Sequence, residues 1–534
     1  MTQRILFTLL FCHLIVLGWS QALPASVTIN TNRVKTIIRA DGALFTDGTN
    51  GQFLTNGAQN SSMRVSGLWI SGFDLADNLK GAFQLYNKDN KADFAHVPKM
   101  NKIWKVTRQD IEEHLADWKD NGVIDRPIAN IYGWPGRGNA FFDDYNADAI
   151  ELDQSTAPFF DQDGEALYNP DQGDFPILDL PGCDPSEDDL IQPDEMYWFA
   201  YNDFGPNFEV EGASIGAEIQ CMVFVYNCSE ETPLNNSIFV HYRIINRSLE
   251  IVDSMYVGTF ADFDIGNPAD DFIGSDPSRN ILFGYNGDAT DEDGYESNPP
   301  AMVVQRMRGL RADDLQELPI AHALPVEIKD DESQSILEFY RLLSGSERNG
   351  DPLPNDGQLF TGDPNGNNLD NEVAAGNVPG ERSGLMSTGP IRMMPGAVQQ
   401  MVVGYTFYQK EGNDYLQNVT EIYAGSDQIQ SGFDACMLRG AGCNAITSTV
   451  ELEPAKLDIF PNPSSALLNI QSQEANLISL RLSDVSGRIL VDSQFEQAQQ
   501  NIELSTHHLA NGLYLIEGRL ADGRPFGEKI IVQH

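Results

Sequence analysis

Positive charge is scarce in this sequence. Lys and Arg together number 34 against 78 Asp and Glu residues, which gives a formal net charge of -44 at pH 7. A surface this acidic repels phosphate backbones and anionic lipid headgroups, and no basic patch interrupts it, so we expect no nucleic-acid partner. Crowded carboxylates repel one another unless a cation or solvent screens them, which makes divalent cations the expected partners.

Long apolar runs are missing after the first residues. A mostly apolar run from Ile5 to Leu17 follows a single Arg. Small residues come next, and we expect cleavage after Ser20 or Ala22. This pattern predicts a secretory signal peptide over residues 1–22, which is too short to remain as a membrane-spanning helix. No later segment approaches a run of about 18 uncharged apolar residues, so we predict an exported chain without a membrane span.

Cysteines are few. One of the six lies in the predicted signal peptide, which leaves five in an oxidising compartment. Cys221 with Cys228 and Cys436 with Cys443 can each close a small loop, leaving Cys183 over, although sequence alone does not fix the connectivity. Neither pair has the spacing typical of a zinc site, so we favour disulfides over zinc.

Familiar catalytic motifs are absent. The chain has no GxSxG elbow, HExxH pair, P-loop or dinucleotide-binding fingerprint, and no catalytic residue is assigned. Glycoside hydrolysis needs only two carboxylates about 5 to 10 Å apart, so a glycan-active protein stays an alternative. The stretch "MYWFAYNDFG" could line a sugar cleft with Trp198, Tyr201 and Asp203, but aromatic residues usually fill sandwich cores, and we favour core packing.

What is present indicates a mainly β, multidomain fold with a β-sandwich-type body and a few helices. In "NNSIFVHYRIINRS", Ile238, Val240 and Tyr242 alternate with other bulky residues, as in a strand covered on both faces. Similar short runs recur between turns rich in Gly, Pro, Asn and Asp, which is typical of antiparallel sheets. We assign the body to residues 23–453, with a candidate sub-boundary near 180–195.

Two helices and one long loop interrupt the strands. The capping pair Thr107 and Asp110 begins the first helix and Gly122 can end it. A second helix is predicted from Asp414 to about Cys436. Residues 346–384 are so rich in Gly, Asn, Asp and Pro that we expect a long surface loop there.

The stretch "FFDQDGEALYNPDQGDFP" holds the first candidate metal site. Oxygen ligands at alternate positions of a tight turn can all point inward, which is the arrangement that Ca²⁺ requires. Side-chain oxygens and one carbonyl fall at the first, third, fifth, seventh and ninth positions of a calcium-loop template, namely Asp161, Asp163, Glu165, Leu167 through its carbonyl, and Asn169.

The fit to the calcium-loop template is incomplete at two positions. Ala166 stands at the sixth position where Gly is expected, and Gln172 stands at the twelfth where a bidentate Glu belongs. Asp171 and Asp174 are the candidates to replace that Glu. We predict a structural, dockerin-like calcium loop, and the alternative is a solvated acidic turn without metal.

A second acidic stretch follows a predicted strand. Alternation places Asp262 and Asp264 on one side of the chain, which suits a metal or a polar sugar ligand, although a charged loop end also explains them. The candidate calcium ligands in this stretch are Asp262, Asp264, Asn267, Asp270 and Asp271. A third stretch, "NGDATDEDG" at 286–294, is a weaker candidate.

The last part of the chain carries the most specific motifs. The stretches "LDIFPNPSSALLNI", "RLSDVSGRIL" and "LANGLYLIEGRLADGRPFGEKIIV" resemble, in order and spacing, the type A C-terminal sorting domain of proteins exported by the type IX secretion system of Bacteroidetes. The positions that match are Pro461, Asn462, Pro463, Asp484, Gly487, Arg488, Gly512, Tyr514 and Lys529. The alternating apolar residues of this region independently predict a small β-sandwich, which we bound at 454–534.

This resemblance implies a route for the protein. The tail would address the chain, after transit through the periplasm, to an outer-membrane translocon, where it is typically cleaved and the body is released or attached to surface lipopolysaccharide. We therefore expect a secreted or outer-surface location.

The body is similar to large secreted proteins that bear the same tail and have no established activity. Blocks such as "IANIYGWPGRGN" and "STGPIRMMPGAVQQMVVGY" carry this resemblance. In those relatives the acidic loop has Asn, Asp and Gly where this chain has Asp163, Glu165 and Ala166. We expect a calcium-stabilised, non-enzymatic protein of adhesion, matrix or envelope structure. The alternative is a glycan-binding protein or a glycoside hydrolase that acts on extracellular polysaccharide.

Overall fold

The computed structural model divides the chain into two compact units, Met1–Ile446 and Thr447–His534. The residues it describes are 23–84, 94–97, 99–146, 156–183, 193–204, 214–229, 231–292, 294–312, 316–327, 335–366, 368–436, 457–472, 477–484, 489–520 and 525–534. The predicted signal peptide at 1–22 lies outside these ranges, as does most of the candidate sub-boundary near 180–195.

The larger unit is built mainly of strands, which confirms the predicted fold class. Its strands are β1 (Ser26–Ile29), β2 (Val34–Arg39), β3 (Leu54–Thr55), β4 (Met63–Phe73), β5 (Leu79–Phe83), β6 (Ala95–His96), β7 (Trp104–Thr107), β8 (Phe159–Phe160), β9 (Phe175–Pro176), β10 (Glu195–Asn202), β11 (Ala217–Val225), β12 (Ser237–Asn246), β13 (Val252–Phe263), β14 (Asp271–Asp276), β15 (Ile281–Asn286), β16 (Ala301–Arg308), β17 (His322–Val326), β18 (Arg382–Met393) and β19 (Val398–Tyr408).

Helices are short apart from two. They are α1 (Arg108–Asn121), α2 (Ala129–Tyr132), α3 (Phe142–Tyr145), α4 (Ile336–Leu343), α5 (Glu372–Ala375) and α6 (Tyr415–Asp434). Within the described ranges, none of these helices is long and apolar enough to cross a membrane.

Two antiparallel sheets form the body. The larger has nine strands in the order β14-β15-β16-β19-β12-β11-β10-β6, with β7 also paired to β10, and the smaller has the order β17-β18-β13-β4-β5. Strands β1, β2 and β3 form a third sheet, and β8 pairs with β9 as a separate hairpin.

The main core lies between the two large sheets. Leu68 and Val257 of the smaller sheet share one buried cluster with Ile219 and Val240 of the larger sheet. The opposite face of the larger sheet is covered as well, because Phe239 belongs to a second cluster with residues of α1, α2 and α6. The alternation read from residues 237–246 therefore reflects a strand buried on both faces, as predicted.

Both predicted helices are confirmed. Helix α1 begins at a capping box in which Thr107 and Asp110 exchange hydrogen bonds, and it ends at Gly122, whose φ of 76° is left-handed. The side chain of Asp414 caps the start of α6. These capping signals are local in sequence, which is why they could be predicted.

The expectation of an unstructured loop over 346–384 is wrong in part. This segment contains a 3₁₀ turn at Pro354–Gly357, helix α5 and the first residues of β18. Its order comes from hydrogen bonds to the outer edge of β14, where Gly380 N–H donates to the carbonyl of Asp271 (3.1 Å) and Ser275 N–H donates to the carbonyl of Phe360 (2.9 Å).

The buried carboxylate of Glu372 adds a side-chain contact to the same edge. Its Oε1 accepts a hydrogen bond from Ile273 N–H at 2.8 Å, and the carboxylate forms a salt bridge with Arg382 at 2.8 Å. The segment 346–384 is therefore held along the whole length of β14.

The smaller unit is also all β. Its strands are β20 (Leu457–Phe460), β21 (Leu467–Ser472), β22 (Leu477–Asp484), β23 (Ile489–Gln499), β24 (Asn501–Ser505), β25 (Gly512–Leu520) and β26 (Pro525–Val532). They form a three-stranded sheet, β20-β21-β24, and a four-stranded sheet, β23-β22-β25-β26. Leu468 and Ile470 of the first sheet pack with Leu480 and Ile516 of the second around one core. This arrangement fits the small sandwich expected of the tail.

The predicted disulfide pairs are wrong. Cys183 bonds to Cys436 across a sequence separation of 253 residues, Cys228 is also disulfide-bonded, and Cys221 is a buried free thiol. Cys221 and Cys228 are seven positions apart along an extended segment, so they face opposite sides. Cys221 accordingly lies in the core between the sheets, and Cys228 lies in the cluster on the other face.

Removal of the long-range bridge should destabilise the body. We expect the double substitution Cys183→Ala with Cys436→Ala to lower the free energy of unfolding by about 2 to 5 kcal/mol, because the unfolded chain loses a constraint on a long loop. Denaturant unfolding of the purified protein measures this change. The matched control is Cys221→Ala, which removes a free thiol. A reductant should destabilise this control as much as it destabilises the parent. A double variant as stable as the parent would contradict the prediction.

Candidate functional site

The predicted calcium loop is closed by a two-stranded hairpin. Phe160 of β8 pairs with Phe175 of β9, and their rings stack with centroids 5.2 Å apart. Asp161 directly follows the first of these residues and Asp174 directly precedes the second. The hairpin therefore brings two carboxylates together that are far apart in sequence.

Three carboxylates converge at the mouth of this hairpin. Each of Asp161, Asp163 and Asp174 offers one oxygen, and these oxygens lie within 4.8 Å of one another. Ca²⁺ binds oxygens at about 2.3 to 2.6 Å, so two ligands on opposite sides of an ion stand about 5 Å apart. The spacing fits one Ca²⁺ ion. Over the described ranges, no other three His, Cys, Asp or Glu residues meet this criterion.

Backbone amides hold these carboxylates in place. Asp161 accepts N–H groups from Gly164 and Ala166, both at 2.7 Å. Asp174 accepts from Gln162 and Asn169, both at 2.8 Å. The loop thus orients its carboxylates before any ion arrives.

The sixth loop position has the conformation that the template requires. Ala166 is left-handed with φ 60°, a region that favours glycine. Its N–H bond to Asp161 keeps it there. Ala166 therefore replaces the glycine of the template but keeps the left-handed backbone conformation of that position.

The charged form of Asp174 is disfavoured in this loop. Burial is the main cause that raises the pKa of Asp174 to about 6; the charges of Asp161 and Asp163 act in the same direction, and the N–H bonds from Asn169 and Gln162 oppose the rise. A bound cation would remove this penalty by pairing with the charged form.

The remaining predicted loop residues lie outside the group of three carboxylates. Glu165 is exposed, and the side chain of Leu167 is 46% exposed beside Gly138. The side chain of Asn169 accepts a hydrogen bond from Asp171 N–H at 3.2 Å, which starts a 3₁₀ turn. Asp171 accepts the hydroxyl of Tyr132 at 2.5 Å. Of the two candidates to replace the missing Glu, Asp174 therefore lies in the group of three carboxylates and Asp171 does not.

The second acidic stretch divides into two parts. Asp262, at the end of β13, is buried and accepts the hydroxyl of Ser383 at 2.6 Å, while Asp264 lies 3.9 Å from Arg64. Burial raises the pKa of Asp262 to about 7, and burial also raises the pKa of Asp264 to about 6. Both members of this pair have protein partners, and Asp264 is close enough to the other part for its charge to act on Asp271.

The other part gathers Asp270 and Asp271 with Asp291. Burial raises the pKa of Asp270 to about 6 and that of Asp271 well above its ordinary value, with the charge of Asp291 adding to both. Asp291 accepts N–H groups from Asn267 (3.1 Å) and Tyr295 (2.5 Å). The backbone of Asn267 bonds to Asp291 and its side chain bonds to Asp270. The weaker third stretch, which contains Asp291, is part of the same region.

The described residues of the aromatic stretch, 196–204, are mostly buried. Trp198 and Tyr201 are buried in the cores on the two faces of the large sheet. Asp203 is also buried and accepts the N–H groups of Ile215, Gly216 and Ala217. Core packing, as favoured above, describes these residues.

Several predicted sorting residues meet at one end of the four-stranded sheet in the tail. The side chain of Asn462 donates to the carbonyl of Lys529 (3.1 Å) and accepts from Ile531 N–H (2.8 Å), so the first motif is bound to β26. Pro461 and Pro463, on either side of Asn462, are exposed.

The later motifs lie at the same end. Asp484 is the register partner of Tyr514 on the neighbouring strand, and Gly512 pairs with Val532. Gly487 and Arg488 lie outside the described residues. Four segments that are distant in sequence therefore meet at one end of this sheet.

Comparisons with known proteins bear on the tail. Residues 458–533 match the family model of a secretion system C-terminal sorting domain. A comparison with curated proteins found no match. Among solved structures, a polysaccharide lyase is similar at 8% identity with a TM-score of 0.18, over 59% of this chain and 34% of the lyase. The likeness to the lyase is too low to carry an argument about activity.

The buried carboxyl of Asp262 should make stability depend on pH. A folded-state pKa of about 7 lies above the ordinary value, so the contribution of this group is present at low pH and is lost as the pH rises through 7. We expect Asp262→Asn to gain stability relative to the parent by about 1 to 4 kcal/mol between pH 4 and pH 8.

Unfolding in calcium-free buffer at several pH values measures this difference. Asp125→Asn, at an exposed carboxylate, is the matched control and should show little change with pH. A constant difference between Asp262→Asn and the parent would contradict the assignment.

Proposed function

Because residues 458–533 are a C-terminal sorting domain, the chain is an exported substrate of the type IX secretion system, and we propose that its body is a calcium-stabilised structural protein. The sorting domain confirms the resemblance read from the sequence. It implies interaction with the secretion machinery and delivery to the cell surface or the extracellular space. The proposed role of the body is adhesion, matrix or envelope structure.

The loop over 161–174 carries this proposal. Its three convergent groups are all carboxylates, and hard oxygen donors without His or Cys select calcium over transition metals. Calcium sites of extracellular modules are typically weak, with Kd about 10⁻⁴ to 10⁻³ M, and they function where calcium is plentiful. Export would therefore take this loop to a compartment in which it can be occupied.

The geometry of the loop favours a structural role over a catalytic one. A general acid or base must exchange protons with a substrate within hydrogen-bond reach. Both oxygens of Asp161 and both oxygens of Asp174 already accept backbone N–H groups. These carboxylates therefore fix the shape of the loop, and an ion bound to them would hold the hairpin closed.

The glycan-active alternative has no described site to support it. Trp198, Tyr201 and Asp203, the residues considered for a sugar cleft, are buried. An exposed aromatic platform beside two carboxylates is what a sugar-binding site would need.

Calcium should stabilise the body through the loop. At a concentration about one hundred times Kd, calcium should add about 2.7 kcal/mol to the free energy of unfolding. Asp161→Ala with Asp163→Ala should abolish most of this gain, because the remaining carboxylate cannot hold the ion alone. Thermal unfolding with calcium and with a chelator measures the effect.

The control for this experiment changes the same charge elsewhere. Asp143→Ala with Asp144→Ala removes two exposed carboxylates from α3 and should leave the calcium effect intact. If chelation fails to alter the stability of the parent protein, the loop is an acidic turn without metal.

The tail should be necessary for export. Deletion of residues 455–534 should leave the body in the periplasm of a bacterium that has the type IX system. Fractionation with immunodetection measures the location of the body. Surface delivery of the truncated chain would contradict the assignment.

The tail should also be sufficient for export. Residues 455–534 fused to a periplasmic reporter should carry that reporter to the surface, whereas the same fusion with Asn462→Ala should be delivered less well because its contacts with β26 are lost. The parent tail is the matched control. Equal delivery of both fusions would show that Asn462 is dispensable.

A further inference from the structure

We propose a second calcium site in the body, formed by Asp271 and Asp270 at the start of β14 and by Asn286 at the end of β15. It lies outside the loop over 161–174 and uses no residue of that loop. It also goes beyond the role proposed above, because it would fix the edge of the nine-stranded sheet.

The pairing of two strands places the principal ligands together. Asp271 and Asn286 are register partners in the antiparallel pair β14–β15. Directly opposed residues have Cβ atoms about 4.5 to 5.5 Å apart and project to the same face of a sheet. Both side chains are fully buried.

Each of these two side chains has an acceptor oxygen without a donor. Asp271 Oδ2 accepts from Ile265 N–H at 3.0 Å, but Oδ1 is buried and accepts no hydrogen bond. Asn286 Nδ2 donates to the carbonyl of Asp288 at 3.0 Å, which fixes the amide orientation and leaves Oδ1 buried without a donor. Two buried acceptors on neighbouring strands need a hydrogen-bond donor, such as a water molecule or a proton, or a cation.

Asp270 supplies the third oxygen. Its Oδ1 is buried and also accepts no hydrogen bond. Its carbonyl accepts from Gly287 N–H at 2.6 Å, which places Asp270 beside the end of β15. The candidate ligand set is therefore two carboxylates and one amide oxygen, all of them the hard donors that calcium prefers.

Neighbouring carboxylates add negative charge to this site. The charges of Asp264 and Asp291 act on Asp271. Arg64, which lies 3.9 Å from Asp264, and Arg382, which binds Glu372 at 2.8 Å, each have an acidic partner elsewhere. A divalent cation would balance this field.

A proton is the rival occupant. If Asp271 were protonated, its hydroxyl could donate to Asn286 Oδ1, and no metal would be needed. Calcium binding separates the two explanations directly, because only the metal site takes up calcium.

The test measures bound calcium on the purified protein after chelator treatment and dialysis. The parent should bind about one ion more than the Asp161→Ala, Asp163→Ala variant, which lacks the loop site. That variant should still bind about one ion, and adding Asp271→Asn to it should weaken the remaining binding at least about tenfold. If the loop variant binds no calcium, the second site is overturned, whatever the result for the loop.

Two further variants keep the test decisive. Asn286→Ala removes the amide ligand and should also weaken binding, which covers the case in which Asp271→Asn does not fold. Asp276→Asn is the matched control, because this carboxylate lies at the other end of β14 and pairs with Arg279. Unchanged calcium binding in both Asp271→Asn and Asn286→Ala would overturn the site and favour the proton.

Discussion

Donation of backbone N–H groups to buried and half-buried aspartates is the interaction on which the loops of this fold depend. With 78 acidic residues and only 34 Lys and Arg, side-chain cations cannot neutralise every carboxylate. The body instead turns its amides toward them, and the residues held in this way are Asp161, Asp174, Asp203, Asp271 and Asp291. Each such bond also fixes the conformation of the turn that contains it. The acidic residues therefore help to determine the shape of the loops.

Amide dipoles stabilise a carboxylate, but they carry no net charge. Carboxylates that converge therefore still repel one another. The pKa of Asp174 is raised chiefly by burial, and the charges of Asp161 and Asp163 add to the rise. The calcium ion proposed above would pair with this remaining negative charge. The sorting domain implies delivery to the cell surface or the extracellular space, and weak calcium sites are typical of extracellular modules.

Features encoded locally were predictable from the sequence. The ends of α1 follow from Thr107, Asp110 and Gly122, and the burial of both faces of β12 follows from its unbroken bulky residues. The motifs of the tail likewise stand in a short stretch with fixed spacing, and the sorting domain was identified from them.

Features that depend on which strands meet were beyond the sequence. Asp174 reaches the other two carboxylates because Phe160 pairs with Phe175. In the sequence, only the aromatic residues at both ends of the loop indicate this pairing. The grouping of Asp271 with Asn286 and Asp291 requires the register of β14 with β15. The disulfide between Cys183 and Cys436 joins segments that are 253 residues apart in sequence, so the local spacing of cysteines could not predict it.

The contacts of residues 346–384 with β14 bear on whether copies of this protein can associate with one another. An outermost strand with free N–H and C=O groups is a template on which a second molecule can add a strand. Here Gly380, Phe360 and the carboxylate of Glu372 occupy those groups along β14. An irregular segment thus covers one flank of the large sheet, and without it this flank would offer a free strand edge to a second molecule.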